Sequence, residues 1–487
     1  MIELLNIKAF NQAQEIINNN NEYSIFEKQY WFSRILLSKG DYNESLNQTK
    51  RLLEYKETKK SIETYLTINH LLLINIERLG KVKEGFQLIK EIQPFLNKNL
   101  DSKSESMKKI ISDIYSVISL LYVHEGMFEI ALETINIALK YSKSLQEEHD
   151  YSKKLNSKGI IYYNKGEYPK ALEIFKEVLV YAKNSIDKDI LNRCYNNIGV
   201  CHNSMGNLQN AIEYYKKSLE LSKESNNENM LSYCYYNLAS VFEQQKKHQK
   251  AIDYYKKSLM IDRKSGNPIS ISYTLNAIIL QYLELNMIGE SQEYLIELKK
   301  IEQMNTSKLI SITRKNAEAE LFMQIKDDFA LKKAEQLYKE IIDEEVILYH
   351  HTQNAFVKYI DIQFQNFKKS SDFESLKKIY SLLDQSIEKT KEVKALRFYI
   401  TLLILKAKIT LLVEMNIERA SIILNLAEVN AKEQDIIDLV KTIEMEKKHL
   451  KPQFDLFSTL KETKIEEESM NELEIDKYIA ELKKIMK

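Results

Sequence analysis

The feature that most constrains this chain is a repeat. Six-residue segments starting at Gly126, Gly166, Gly206, Lys246 and Asn286 succeed one another every 40 residues. Each ends on a small residue: Ala131, Ala171, Ala211, Ala251 and Ser291. An amphipathic stretch precedes every segment and another follows it, so one period predicts two helices joined by a tight turn. A helix pair of that size cannot bury its apolar face alone and must stack on its neighbours. With 10 Gly and 4 Pro in 487 residues, the chain lacks the turn formers that a sheet-rich fold would need. The expected fold is an all-α solenoid.

Each position of the period has a physical reason. Gly or Asn at the turn accepts positive φ and stops the first helix. The small residue five positions later lets the second helix approach the first. Seven positions before the turn stand Ser119, Gly159, Gly199, Ala239 and Ile279, four of them small, as a close helix crossing requires. Phe175, Tyr215, Tyr255 and Leu295 share one offset in the second helix, and Leu139, Leu179, Leu219 and Leu259 another. A stripe of this kind is packing rather than a ligand box.

These residues resemble the tetratricopeptide repeat, most clearly from Ile111 to Leu298 and above all in residues 196–227. The 40-residue spacing is similar to the long-helix variety found in kinesin light chains, Leu-Gly-Asn-repeat adaptors and bacterial peptide-sensing regulators. The resemblance implies a right-handed α-solenoid. The six residues beyond the usual 34 fall in polar stretches such as 223–229 and 263–270, where they lengthen helices or loops. Outside this block the period weakens. Gly40 and Gly80 are 40 apart, but 46 residues separate Gly80 from Gly126, and the surplus predicts an exposed loop near 97–106. Residues 9–13 begin a lone helix or a cap. Later pairs turn near Asp327–Phe329, Ser371–Phe373 and Met415–Ile417. The expected organisation is divergent repeats over 1–100, regular ones over 107–305, degenerate ones over 306–450, and a tail over 451–487. That tail contains Pro452, an acidic run at 466–468, and an amphipathic helix with Ile475, Ile479, Leu482 and Met486 on one face, either a cap or a docking element.

In the family, the first helix of each pair lines a concave surface, with residues nine, ten and thirteen before the turn pointing inward. Carried onto this chain, the resemblance implies a peptide- or partner-binding wall of Asn156, Asn196, Tyr236 and Asn276 at ten, Asn197 and Asn237 at nine, and Lys153, Arg193, Tyr233 and Tyr273 at thirteen. Ser157 and Ala277 interrupt the track at nine. An Asn amide has one acceptor and two donor hydrogens, which suits the repeating C=O and N–H of an extended peptide. The same amide also bonds its own backbone or a neighbouring helix. Lys153 and Arg193 would attract a carboxylate.

Other chemistries find little support. Lys and Arg total 70, as do Asp and Glu, so the basic excess of a phosphate-gripping protein is missing. No signal-like start or long apolar run occurs; Tyr399 to Val413 comes nearest and is broken by Lys406 and Lys408, so the chain reads as cytoplasmic and non-membrane. Cys194, Cys201 and Cys234 form no disulfide or metal spacing. There is no phosphate loop, Gly-x-Ser-x-Gly or His-Glu-x-x-His. His350 and His351 are helix neighbours that point apart. Trp31 stands nine before Gly40, at a partner-facing or cap-packing position. The expectation is an adaptor for a protein or peptide ligand, not an enzyme, with no cofactor or metal and an undetermined oligomeric state. The alternatives are a peptide-responsive regulator or sensor, or a regulatory subunit of a larger complex.

Overall fold

The computed structural model describes residues 10–462 except 21, 40, 125–126, 146, 184–187, 226, 305–306, 326, 345–348, 371–373, 393–395 and 434–436. Among these residues the secondary structure is helical, with no strand. The chain divides into two compact units, 1–274 and 275–487. The division falls within the block of regular repeats.

The first unit begins with α1 (Phe10–Asn19), α2 (Ile25–Lys39), α3 (Tyr42–Leu52), the single turn α4 (Lys56–Lys60), α5 (Ile62–Arg78) and α6 (Val82–Lys98). Its regular part is α7 (Glu105–His124), α8 (Phe128–Ser144), α9 (Glu148–Asn164), α10 (Tyr168–Lys183), α11 (Lys188–Ser204), α12 (Leu208–Glu224), α13 (Glu228–Gln244) and α14 (His248–Ser265). The division lies inside α15 (Pro268–Glu284). The second unit continues with α16 (Ile288–Gln303), α17 (Lys308–Ile325), α18 (Asp328–Asp343), α19 (Tyr349–Ser370), α20 (Glu374–Glu392), α21 (Leu396–Glu414), α22 (Ile417–Glu433) and α23 (Ile437–Glu462).

The period is a sum of parts. Helices α12 and α13 have 17 residues each and the links after them three each, so the residues beyond the usual unit lengthen helices. The turn works as its sequence implies: Gly166 (φ 84°), Gly206 (76°), Lys246 (56°) and Asn286 (58°) all adopt left-handed backbone. Gly126 lies outside the described residues, as do Gly40 and Ser371–Phe373. The turns at Asp327 and Met415 fall between helices as expected, with the Asp327 side chain accepting the Ala330 N–H at 2.7 Å as an N-cap.

Close packing between the two helices of a pair rests on the small residues. Ala131, Ala171, Ala211, Ala251 and Ser291 are fully buried. Gly159 lies flat under Phe175, and Gly199 under Tyr215; a Cβ at either site would stand 2.5–2.6 Å from the ring. Along the first unit, α7, α9, α11 and α13 touch one another in succession as well as touching their own partners. First helices are therefore closer to each other than second helices are, which curves this run with the first helices on its inner side.

In the second unit α21 is buried nearly all round, including Leu402 to Leu405, Ala407, Lys408 and Ile409. The Lys408 ammonium lies 2.6 Å from the Glu446 carboxylate of α23, which accompanies it into the interior. Pro452 is inside α23 rather than at the start of a tail, so the helix continues beyond the expected boundary at 450. Ile475, Ile479, Leu482 and Met486 lie outside the described residues.

Candidate functional site: the inner wall of the first unit

Helical register places the wall residues. On α9, α11 and α13 the positions ten and nine before the turn fall side by side in successive repeats. The Asn197 amide donates to the Asn156 carbonyl oxygen at 2.9 Å, and the Asn237 amide donates to that of Asn196 at 2.8 Å. Two rungs of an amide ladder therefore tie consecutive first helices together. Each rung uses one N–H and one oxygen, which leaves both partners further hydrogen-bonding capacity. Tyr236 continues the track in another chemistry. Its ring meets that of Tyr255 edge-on at 5.1 Å, and burial pushes its phenol well above the ordinary value.

The outer track carries the charged groups and phenols. Lys153 and Arg193 are exposed, and Arg193 pairs with Asp189 one turn earlier at 2.7 Å. Tyr233 is 56% exposed. Burial pushes the Tyr273 phenol up to about 12. Asn276 belongs to the second unit, where it is 8% exposed and its carbonyl oxygen is buried without a hydrogen bond. The cause is local: the residue 41 positions on, where Asn197 and Asn237 supply donors to their neighbours, is Ala317. The ladder resumes weakly from Asn354 to Asn316, at 3.4 Å.

Several groups on this wall escaped the sequence argument. Lys154, beside the expected Lys153, is almost fully buried and bonds both Asp150 on its own helix and Asp113 on α7. Burial works against the charge of Asp150, but Lys154 and the Ser142 hydroxyl outweigh it and hold the carboxyl below its usual range. The signal was present: acids stand four and 41 residues before Lys154, one turn and one repeat away. Burial likewise holds the His70 imidazole of α5 below its ordinary value, against the pull of Asp113. A longer-range convergence had no signal at all. Tyr42 and Arg78, near the start of the unit, lie within electrostatic reach of Tyr233, and so does Arg193.

The family model described as tetratricopeptide repeat matches residues 191–264. Over that span the chain carries tetratricopeptide repeats. They hold Arg193, Asn196, Asn197, Tyr233, Tyr236 and Asn237 on α11 and α13. Among solved structures, the chain is similar to the apo form of the quorum sensor NprR from B. thuringiensis (19% identity, 70% of this chain, 96% of that one, TM-score 0.48). It is also similar to the apo form of RapI (16%, 76% and 99%, TM-score 0.46). A third is aspartyl phosphate phosphatase F from Bacillus subtilis (16%, 70% and 90%, TM-score 0.45). No curated protein matches the sequence.

The remaining motifs have plain settings. Cys194 and Cys201 are buried, which pushes both thiols up to about 12, and the Cys194 thiol donates to the Phe175 carbonyl at 3.0 Å. Trp31 packs against Ala13, Ile17 and Ile35, with the Arg34 guanidinium 5.2 Å from its ring centre. The side chains of His350 and His351 lie outside the described residues. No described helix is long and apolar enough to cross a membrane.

Proposed function

We propose that the first unit is a protein-interaction module whose inner wall, on α9, α11 and α13, holds an extended segment of another polypeptide. The observation that carries this reading is the amide ladder. Half-buried Asn197 and Asn237 are fixed by hydrogen bonds to buried Asn156 and half-buried Asn196, and the three half-buried amides still offer donors and acceptors on successive repeats. Fixed amides lose little side-chain freedom when a ligand arrives, so more of each hydrogen bond survives as affinity. Exposed Lys153, Arg193 and Tyr233 flank the track and favour a segment with a carboxylate. Capture of the ligand needs several rungs, since each hydrogen bond contributes only about 0.5–1.5 kcal/mol net.

The test is selection of binders from a random peptide library displayed on phage. Selected peptides should bind the full chain and lose roughly tenfold or more in affinity when Asn197→Ala and Asn237→Ala are combined, the loss expected for one or two hydrogen bonds. Circular dichroism should show unchanged helicity in that variant. Equal binding by both proteins would remove the ladder from the site.

A peptide-responsive regulator is the second reading, favoured by the approach of Tyr42 and Arg78 to Tyr233 across the intervening repeats. A guest on the wall between them would alter that approach. Small-angle scattering of the first unit's span within the full chain, with and without a selected peptide, separates a sensor from a passive adaptor.

A further inference from the structure

Second helices in this chain share a pattern from which α22 departs furthest. Each buries one stripe of small and apolar residues against its partner. Residues two positions further on lie about 200° round the helix, on the solvent side. In α12 the buried stripe is Ala211, Tyr215, Ser218 and Ser222, and the far side is Glu213, Lys217, Glu220 and Glu224. The far sides of α16 (Glu293, Glu297, Lys300) and α18 (Lys332, Gln336, Lys339, Asp343) are polar in the same way. In α22 the buried stripe is Ala420, Leu424, Ala427 and Ala431. Its far side is Ile422, Leu426 and Val429, which are 66%, 47% and 53% exposed. Ile137 in α8, Val180 in α10 and Met260 in α14 are exposed at the same offset, but each stands alone among charged residues, whereas α22 carries three in succession, and a continuous apolar ridge over two turns marks a contact surface.

We infer that the ridge on α22 is the seat of this chain's own segment 470–487. Position argues for it first. Lys447 of α23 bonds Glu428 of α22, and the short connection between the helices makes them antiparallel. Counting eleven residues outward on each puts Ile417, the start of α22, across from residue 458. Glu462, the last residue of α23, is then about 6 Å further along the axis. Residues 463–469 span up to about 23 Å extended, enough to turn back. Spacing argues for it second. Ile475, Ile479, Leu482 and Met486 repeat the four-three interval of Ile422, Leu426 and Val429, so the two ridges are commensurate. The segment would act as a strap over α22, separate from the inner wall of the first unit.

The test uses the full chain with Leu426→Cys and Ile479→Cys, treated with a short bis-maleimide. The native Cys194, Cys201 and Cys234 are buried, with thiols raised by burial, and stay unreactive. A control pairs Ile479→Cys with Met304→Cys, at a position 84% exposed in the same unit. Cross-linking within single chains should exceed the control at least tenfold, and adding Ile422→Asp should abolish that excess. A yield equal to the control would overturn the assignment. So would cross-links found only between chains, which would give the ridge to a second copy. Every substituted position on α22 is exposed, so folding does not decide the outcome.

Discussion

Asp262 shows how much one buried side chain can hold in a repeat. It sits in α14, 5% exposed, and accepts from the Ser232 hydroxyl and from that of Thr274 at 2.8 Å. Burial still raises its pKa above the usual 3.8, against the pull of those donors. The folded protein therefore keeps the proton to higher pH than the unfolded chain does. The group's contribution favours folding below 3.8 and is lost as pH rises through the raised folded value. Asp262→Asn removes the titration. The stability difference, wild type minus variant, should fall as pH climbs above 3.8 by at most about 1.4 kcal/mol per unit, then flatten. Urea unfolding of both proteins between pH 4 and 7 checks this, and parallel profiles would mean Asp262 ionises as easily folded as unfolded. The acid was visible in the sequence, but its burial was not, because polar residues at helix spacing resemble a solvated face. The same blindness hid Lys154, whose neighbour Lys153 fits an inward register that the structure keeps exposed.

Between elements, the crossing of first and second helices is decided by Gly159 and Gly199. The Tyr215 ring lies over Gly199 with its Cε1 2.6 Å from where a Cβ would be, so Gly199→Ala must displace the ring or part α11 from α12. The expected cost is about 1–3 kcal/mol, the usual range for forcing volume into a filled crossing. Alanine is the better helix former, so propensity alone predicts the opposite sign. Chemical denaturation decides between the two. This element-level geometry was legible beforehand: small residues seven before the turn and aromatics in the next helix appear together in the sequence. What was not legible is the seam of buried hydroxyls. Ser218 and Ser258 each donate to a backbone carbonyl 26 residues earlier, on the paired first helix, at 3.2 and 3.1 Å. Serine in a helix carries no mark that says which carbonyl it will meet.

Across the whole chain, contacts run mainly between successive helices, so disturbances should stay local. Native-state hydrogen exchange offers the check. Gly199→Ala should speed exchange in α9 to α13 and leave α21, in the other compact unit, at its wild-type rate. Acceleration throughout would show that the chain opens as one cooperative body. Function follows the same locality: the proposed wall draws on three successive first helices, and the proposed strap on the last two described helices.

Period, turn positions and helix pairing were determined by the sequence, because each depends on residues within 40 of one another and on side-chain size alone. The expected wall positions came with the resemblance to the tetratricopeptide repeat. Only the tertiary structure decided how those side chains are used: that Asn197 and Asn237 bond the preceding repeat, that Asn276 lacks a donor, and that Tyr42 and Arg78 come near Tyr233. The physical reason is that a hydrogen bond or an ion pair depends on ångström-scale placement across repeats. A periodic pattern fixes which residues share a face and leaves the distance between faces to the accumulated packing of every crossing in between.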